Sequence, residues 1–189
     1  MSGFNHPVIS AAFKLHTGAL CAIAFSFLLL SCEPETRHAR STDHIRMMDE
    51  KLISYNRQAV QSESNEIEDY IVRHRWKMLK TSTGLRYNIY KAGNGKKIIK
   101  GAEVRLRYKL FLMNGGELYN SETDGIRIIY PGASEGETGL QEALLLMRQG
   151  DCAKLIVPSH LAFGLLGDLK RIPASATLVY DIESLDPAP

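Results

Sequence analysis

The sequence predicts an α+β fold: an antiparallel β-sheet wrapped around one short helix, preceded by two N-terminal helices. Three observations carry this. From Thr81 onward apolar residues recur at every second position, the period of a strand with one buried face. That alternation is interrupted once by helical spacing, at Leu140, Leu144 and Met147. Before Thr81 the period is helical, with Ile45, Met48, Leu52, Tyr55 and Ala59 on one stripe. Helices segregated from a run of strands make an α+β layer arrangement.

In chain order, Lys14 leads into an uncharged stretch from Gly18 to Ser31 that ends in Phe25, Phe27, Leu28, Leu29 and Leu30. The run is shorter than the roughly 20 apolar residues a transmembrane helix needs. It has the length of a secretory signal's apolar core. It closes on Leu29-Leu30-Ser31-Cys32, which resembles the bacterial lipobox: aliphatic at −3, small at −1, cysteine at +1. The resemblance implies cleavage before Cys32 and acylation of both its sulfur and its new amino group. Such anchoring exceeds the two lipid signals that stable membrane attachment takes. A plain signal peptide and an uncleaved anchor are the alternatives. The abrupt change to Glu33-Pro34-Glu35 favours lipid on Cys32. The expected organisation is a lipoprotein signal peptide over 1–31, a tether and helical extension over 32–80, and a sheet domain over 81–189.

Of three cysteines, Cys21 leaves with the signal and Cys32 takes lipid, so Cys152 has no intrachain disulfide partner. It reads as a small packing residue of a strand. No histidine after Cys32 has ligand partners at metal spacing, so no metal or other cofactor is expected. A net charge of +2 is too small for the basic face of a nucleic-acid binder, and no nucleic acid is expected as a partner.

Glu33 to Ser41 is polar and reads as a tether. Thr42-Asp43 is a plausible N-cap for the first helix, which carries the Ile45–Ala59 stripe. A second helix is expected to start near Ser62 or Ser64, acidic early (Glu63, Glu66, Glu68, Asp69) and basic late (Arg73, His74, Arg75), as the helix dipole favours. Its apolar face is Ile67, Tyr70, Ile71 and Trp76. Two helices are too few for a core of their own. Their stripe packs either on the C-terminal domain or against a second copy, as a homodimer.

Strands follow over Leu85–Tyr90 and Val104–Leu112, with turns at Gly93-Asn94-Gly95 and Asn114-Gly115-Gly116. The chain returns over Leu118–Ser121 and continues as a strand over Ile126–Tyr130, ended by Pro131-Gly132. One helix runs from Gly139 to Arg148 and stops at Gly150. Asp151–Val157 and Thr177–Leu185 are the last two strands.

Several ordered pieces carry a family resemblance: Gly84-Leu85-x-Tyr87, Gly93-x-Gly95, Val104-x-Leu106-x-Tyr108, Asn114-Gly115 and Gly139-Leu140-x-Glu142. After them come Val157-Pro158-Ser159, Ala162-Phe163-Gly164, Ile172-Pro173, Ala176-Thr177-Leu178 and Asp181-Ile182-Glu183. Together they resemble the FKBP-type peptidyl-prolyl isomerases over about Thr81 to Asp186. The extension before Gly84 is similar to those of envelope members, the macrophage infectivity potentiator-like and gliding-motility lipoproteins. The resemblance implies an envelope lipoprotein of a Gram-negative bacterium that isomerises X-Pro bonds of polypeptide clients. It also implies a site. Tyr108 and Leu118 form its wall, Leu140 its floor, Phe163 its covering loop, Ile172 its rim, and Tyr180 lies on the last strand. Glu137 would offer a backbone N–H.

The departures from the family pattern are specific. Tyr119 stands where an acidic residue usually follows the wall position, and Phe163 where a tyrosine is common. Gly136-Glu137 replaces an apolar pair and would put a carboxylate at the rim, while Asp168 and Arg171 add charge to a loop usually apolar. They imply an open, polar rim and a reduced or narrowed isomerase, with a non-catalytic chaperone or scaffold of a membrane machine as the alternative.

Overall fold

The computed structural model describes residues 36–133 and 136–185, with side chains from residue 45 onward. Cys32 and the stretch read as its signal lie outside the described residues. The chain divides into two compact units, Met1–Ile53 and Ser54–Pro189.

One helix, α1 (Thr36–His74), takes the place of the two expected and begins within the stretch read as a tether. The reason is in the sequence: no Gly or Pro occurs from Thr36 to His74, so nothing interrupts the backbone ladder. Ser64, read as a helix start, sits inside α1, where its hydroxyl accepts from Arg86 Nη2 at 2.7 Å. The helix ends at Arg75 (φ 55°), after a last turn holding Arg73 and His74. Among the described residues no helix is long and apolar enough to cross a membrane.

The sheet has seven antiparallel strands: β1 (Leu79–Lys80), β2 (Arg86–Lys91), β3 (Val104–Leu112), β4 (Glu117–Asn120), β5 (Arg127–Ile129), β6 (Cys152–Val157) and β7 (Leu178–Leu185). Their order is β1-β2-β6-β7-β3-β4, and β5 also pairs with β3. A one-turn helix, Ser121–Asp124, joins β4 to β5.

Alternation along β3 and β7 sends Val104, Leu106, Tyr108, Leu110, Leu178, Tyr180 and Ile182 to one face, all nearly inaccessible. There they pack on α2 (Thr138–Leu146) through Leu140, Ala143 and Leu144. Gly139 permits this approach, since a Cβ there would lie 2.6 Å from Val157 Cγ1. The opposite face also has a core, where Ile156 and Val179 meet Ile67 and Tyr70 of α1. Polar contacts clamp that half of the helix. Glu63 accepts from the Ser159 N–H (2.6 Å) and the Thr177 hydroxyl (2.5 Å). Buried Arg86 donates to Glu68 at 2.9 Å. Of the two packings left open for the α1 residues, those from Ile67 to Ile71 adopt the first. Ile45, Met48, Leu52 and Tyr55 are exposed.

Ile67 is fully buried, so Ile67→Ala should cost about 2–5 kcal/mol, as buried aliphatic truncations do. The check is the urea midpoint of the full chain. Leu52→Ala, at an exposed position, should move it by less than about 0.5 kcal/mol.

Candidate active site

The site is a cavity of about 380 Å³ on the α2 side of the sheet, lined by Tyr108, Leu110, Tyr119, Asp124, Arg127, Glu137, Phe163, Asp168 and Ile172. β3 supplies Tyr108 and Leu110 from its inward-facing positions. Glu137 is the N-cap residue of α2. Phe163, Asp168 and Ile172 come from the loop between β6 and β7. That loop is braced internally: the Ser175 N–H donates to Gly164 O at 2.8 Å, and the Gly164 N–H to Ser159 O at 2.9 Å. Gly167 makes its tight turn at φ 68°, where a Cβ would lie 2.1 Å from Ile172 O.

Four expected residues therefore share one cavity: Tyr108, Glu137, Phe163 and Ile172. Leu118, Leu140 and Tyr180 do not line it. Leu118 gives way to its neighbour Tyr119 because β4 carries a bulge. Leu110 pairs with Tyr119 and Phe111 with Glu117, leaving Leu118 as the extra residue. The wall thus carries a tyrosine, followed by Asn120 rather than an acidic residue. Asn120 Oδ1 accepts from the Glu122 N–H at 3.0 Å, capping the one-turn helix. Leu140 lies deeper, in the main core, and borders a second cavity of about 210 Å³ that shares Arg127 and Glu137 with the first.

The Glu137 carboxylate is not at the rim. Its side chain is 1% exposed, accepting from the Tyr180 hydroxyl at 2.6 Å and Arg127 Nη1 at 3.3 Å. Tyr180 is fully buried beneath the cavity, and burial first, then the Glu137 charge, pushes its hydroxyl far above the ordinary phenol range. It stays a donor. The Arg127 guanidinium also lies 5.6 Å from the centroid of the Tyr108 ring. Burial, opposed by that cation, raises Tyr108 as well, so its hydroxyl stays protonated at the cavity wall.

The outer rim is charged but internally paired. Asp168 accepts from the Tyr119 hydroxyl, from the Ile172 N–H at 2.7 Å and from the Lys170 N–H at 2.9 Å. Against the upward pull of desolvation, these bonds hold its carboxyl below the usual range. Arg171 stacks on Tyr119 at 4.6 Å and donates to Asp124 (3.0 Å) and Leu118 O (2.9 Å). Tyr119, Asp124 and Arg127 had no signal in residue type alone. The bulge hid the first, and the other two needed the tertiary pairing. Cys152 is buried, and burial raises its thiol, which suits an inert packing residue. Among the described residues no group of three metal-ligating side chains is brought together.

Residues 94–185 match the family model for FKBP-type peptidyl-prolyl cis-trans isomerase. This domain belongs to that family. An FKBP-type isomerase FkpA of Buchnera aphidicola (subspecies Acyrthosiphon pisum) is 36% identical over 107 residues, 57% of this chain and 44% of that protein. FkpA of Escherichia coli strain K12 is 38% identical over 117 residues, 58% of this chain and 40% of that protein. The chain thus spans less than half the length of the curated relatives it matches. The crystal structure of Escherichia coli FkpA superposes with a TM-score of 0.58 at 26% identity, over 96% of this chain and 85% of that one. The matched residues hold β3 to β7, α2 and the covering loop, while β1 and β2 precede them.

Two outcomes test the geometry. Tyr180→Phe leaves the buried Glu137 carboxylate short of one donor and should cost about 1–3 kcal/mol by urea denaturation. The Asp168 clamp is present above the ordinary carboxylate pKa and is lost as pH falls through its depressed value. Amide exchange of the Ile172 N–H should therefore be protected from pH 5 to 8, stay protected at pH 4, and lose that protection only below the ordinary carboxylate pKa of about 3.9. Asp168→Asn should remove this acid transition.

Proposed function

We propose that this protein is a peptidyl-prolyl cis-trans isomerase acting on X-Pro bonds of exported or envelope proteins. We propose further that it is held at the envelope of a Gram-negative bacterium by lipid on Cys32. The observation that carries the catalytic reading is the cavity itself. Tyr108, Leu110, Tyr119, Phe163 and Ile172 make an apolar and aromatic enclosure about the size of a prolyl ring and its neighbours.

The reaction asks little of such a site. An X-Pro bond has only a modest trans preference but must cross an amide-rotation barrier of about 18–20 kcal/mol. A thousandfold acceleration takes about 4 kcal/mol of preferential transition-state stabilisation. The twisted amide has lost resonance and much of its charge separation. Removal from water therefore disfavours it less than the planar ground state, and the pocket binds the twisted form better. Tyr108, kept protonated, supplies a hydroxyl donor for a substrate carbonyl at the wall. Phe163 and Ile172 exclude water from above.

The lipoprotein reading is supported by the apolar run and Leu29-Leu30-Ser31-Cys32. The exposed stripe Ile45, Met48, Leu52 and Tyr55 supports pairing of two copies through α1. A second reading, a weakly active or non-catalytic chaperone, is favoured by the charged rim of Asp124, Asp168 and Arg171.

Purified protein at micromolar concentration should accelerate isomerisation of a proline tetrapeptide, and Tyr108→Ala should lower kcat/KM at least tenfold. No acceleration over the uncatalysed rate would leave the chaperone reading, which suppression of aggregation of a denatured client would then test. Cys32→Ser should abolish metabolic labelling with palmitate and release the protein from the membrane fraction.

A further inference from the structure

A further, larger concavity lies across the covering loop from the proline site. Its volume is about 820 Å³, within the roughly 300–1,000 Å³ of specific ligand sites. Its lining includes Ala59 and Val60 of α1, Leu112 and Met113 at the end of β3, and Leu165 and Pro173 of the loop. All belong to the compact unit Ser54–Pro189.

The two concavities share one wall. Phe163 lines the proline site and Gly164 the groove, while Ile172 lines the site and Pro173 the groove. Adjacent residues have Cα atoms about 3.8 Å apart, so the partition is one loop thick. The groove is also firmly built, because the Glu63 clamp on Ser159 and Thr177 fixes α1 as its far side.

We infer that this groove is a binding site for the extended, unfolded polypeptide flanking the proline, selecting apolar side chains there. The inference rests on the isomerase reading and names its substrate class: proline segments with apolar neighbours that lack acidic residues. Charge complementarity gives the second condition. Glu63, Glu66 and His160 are the ionisable residues in the lining, which contains no lysine or arginine. Leu165, Leu166 and Leu169 of the loop are 83%, 74% and 85% exposed, an apolar edge that meets the chain as it crosses. The same acidic lining disfavours an anionic lipid surface, and Arg171 is already held by Asp124 and Leu118 O.

Val60 and Leu165 are exposed and stand outside the proline site, so Val60→Asp and Leu165→Ser leave the core intact. Their thermal midpoints should match the parent's. The double variant should keep tetrapeptide kcat/KM within twofold. It should lose at least tenfold in catalysing refolding of a denatured protein limited by one X-Pro bond in an apolar segment. Equal rates of refolding catalysis in parent and variant would overturn the inference, as would an equal loss on tetrapeptide and protein. So would loss of binding to phosphatidylglycerol vesicles with refolding catalysis unchanged. If the parent is inactive even on the tetrapeptide, the isomerase reading fails separately. Fluorescence anisotropy of a labelled, apolar, proline-containing unfolded chain then decides the groove: binding weakened at least tenfold by the double variant upholds it, and unchanged binding rejects it.

Discussion

Burial of β6 and β7 on both faces is the constraint on which the rest of the molecule depends. Leu178, Tyr180 and Ile182 point to one side of the sheet, and Ile156 and Val179 to the other, all almost without exposure. A two-sided apolar sheet needs a cover on each face. The short α2 supplies one and the C-terminal half of α1 the other. The α1 segment from Ser54 is therefore part of the folded unit, and the Glu63 and Arg86 contacts set where it lies. The groove between α1 and the covering loop follows from the same requirement.

Within the first face, one polar network stands where apolar packing would be simpler. Forming a buried ion pair contributes little net stability, while breaking one leaves a costly uncompensated charge. The consequence of Glu137, Tyr180 and Arg127 is therefore chiefly positional. Their bonds turn the Glu137 side chain inward at the start of α2 and hold a guanidinium beside the Tyr108 ring. The outer rim repeats this arrangement, with Asp168 tied to Tyr119 and Arg171 tied to Asp124. The cavity mouth is thus polar in composition, yet most of its charges already have partners. The aromatic and aliphatic walls remain the unpaired part of the cavity lining.

Much of this was legible in the chain itself, because periodicity reports burial directly. The alternation in Val104–Tyr108 and in Leu178–Ile182 placed two central strands, and the spacing of Leu140 and Leu144 placed α2, which ends at Leu146 rather than Arg148, with Met147 already extended. Tyr108, Phe163 and Ile172 followed from an ordered set of short motifs, each weak alone, and they meet in one cavity. Leu118 did not, since a bulge shifts register by one residue and no local signal marks it. The continuous α1 was misread as two helices because serines that look like caps also serve as tertiary acceptors.

Local spacing and residue type by themselves determined β2 to β7, α2, the helical character of the N-terminal extension and the apolar run that ends at Cys32, but not the two-residue β1. These depend on interactions a few residues apart. Tertiary structure alone decided that Ile67 and Tyr70 of α1 cover the sheet, which face of β4 lines the site and where the Glu137 carboxylate points. Each of those depends on partners distant in the chain, such as Ile67 with Val179 and Glu137 with Tyr180, whose pairing no local pattern encodes.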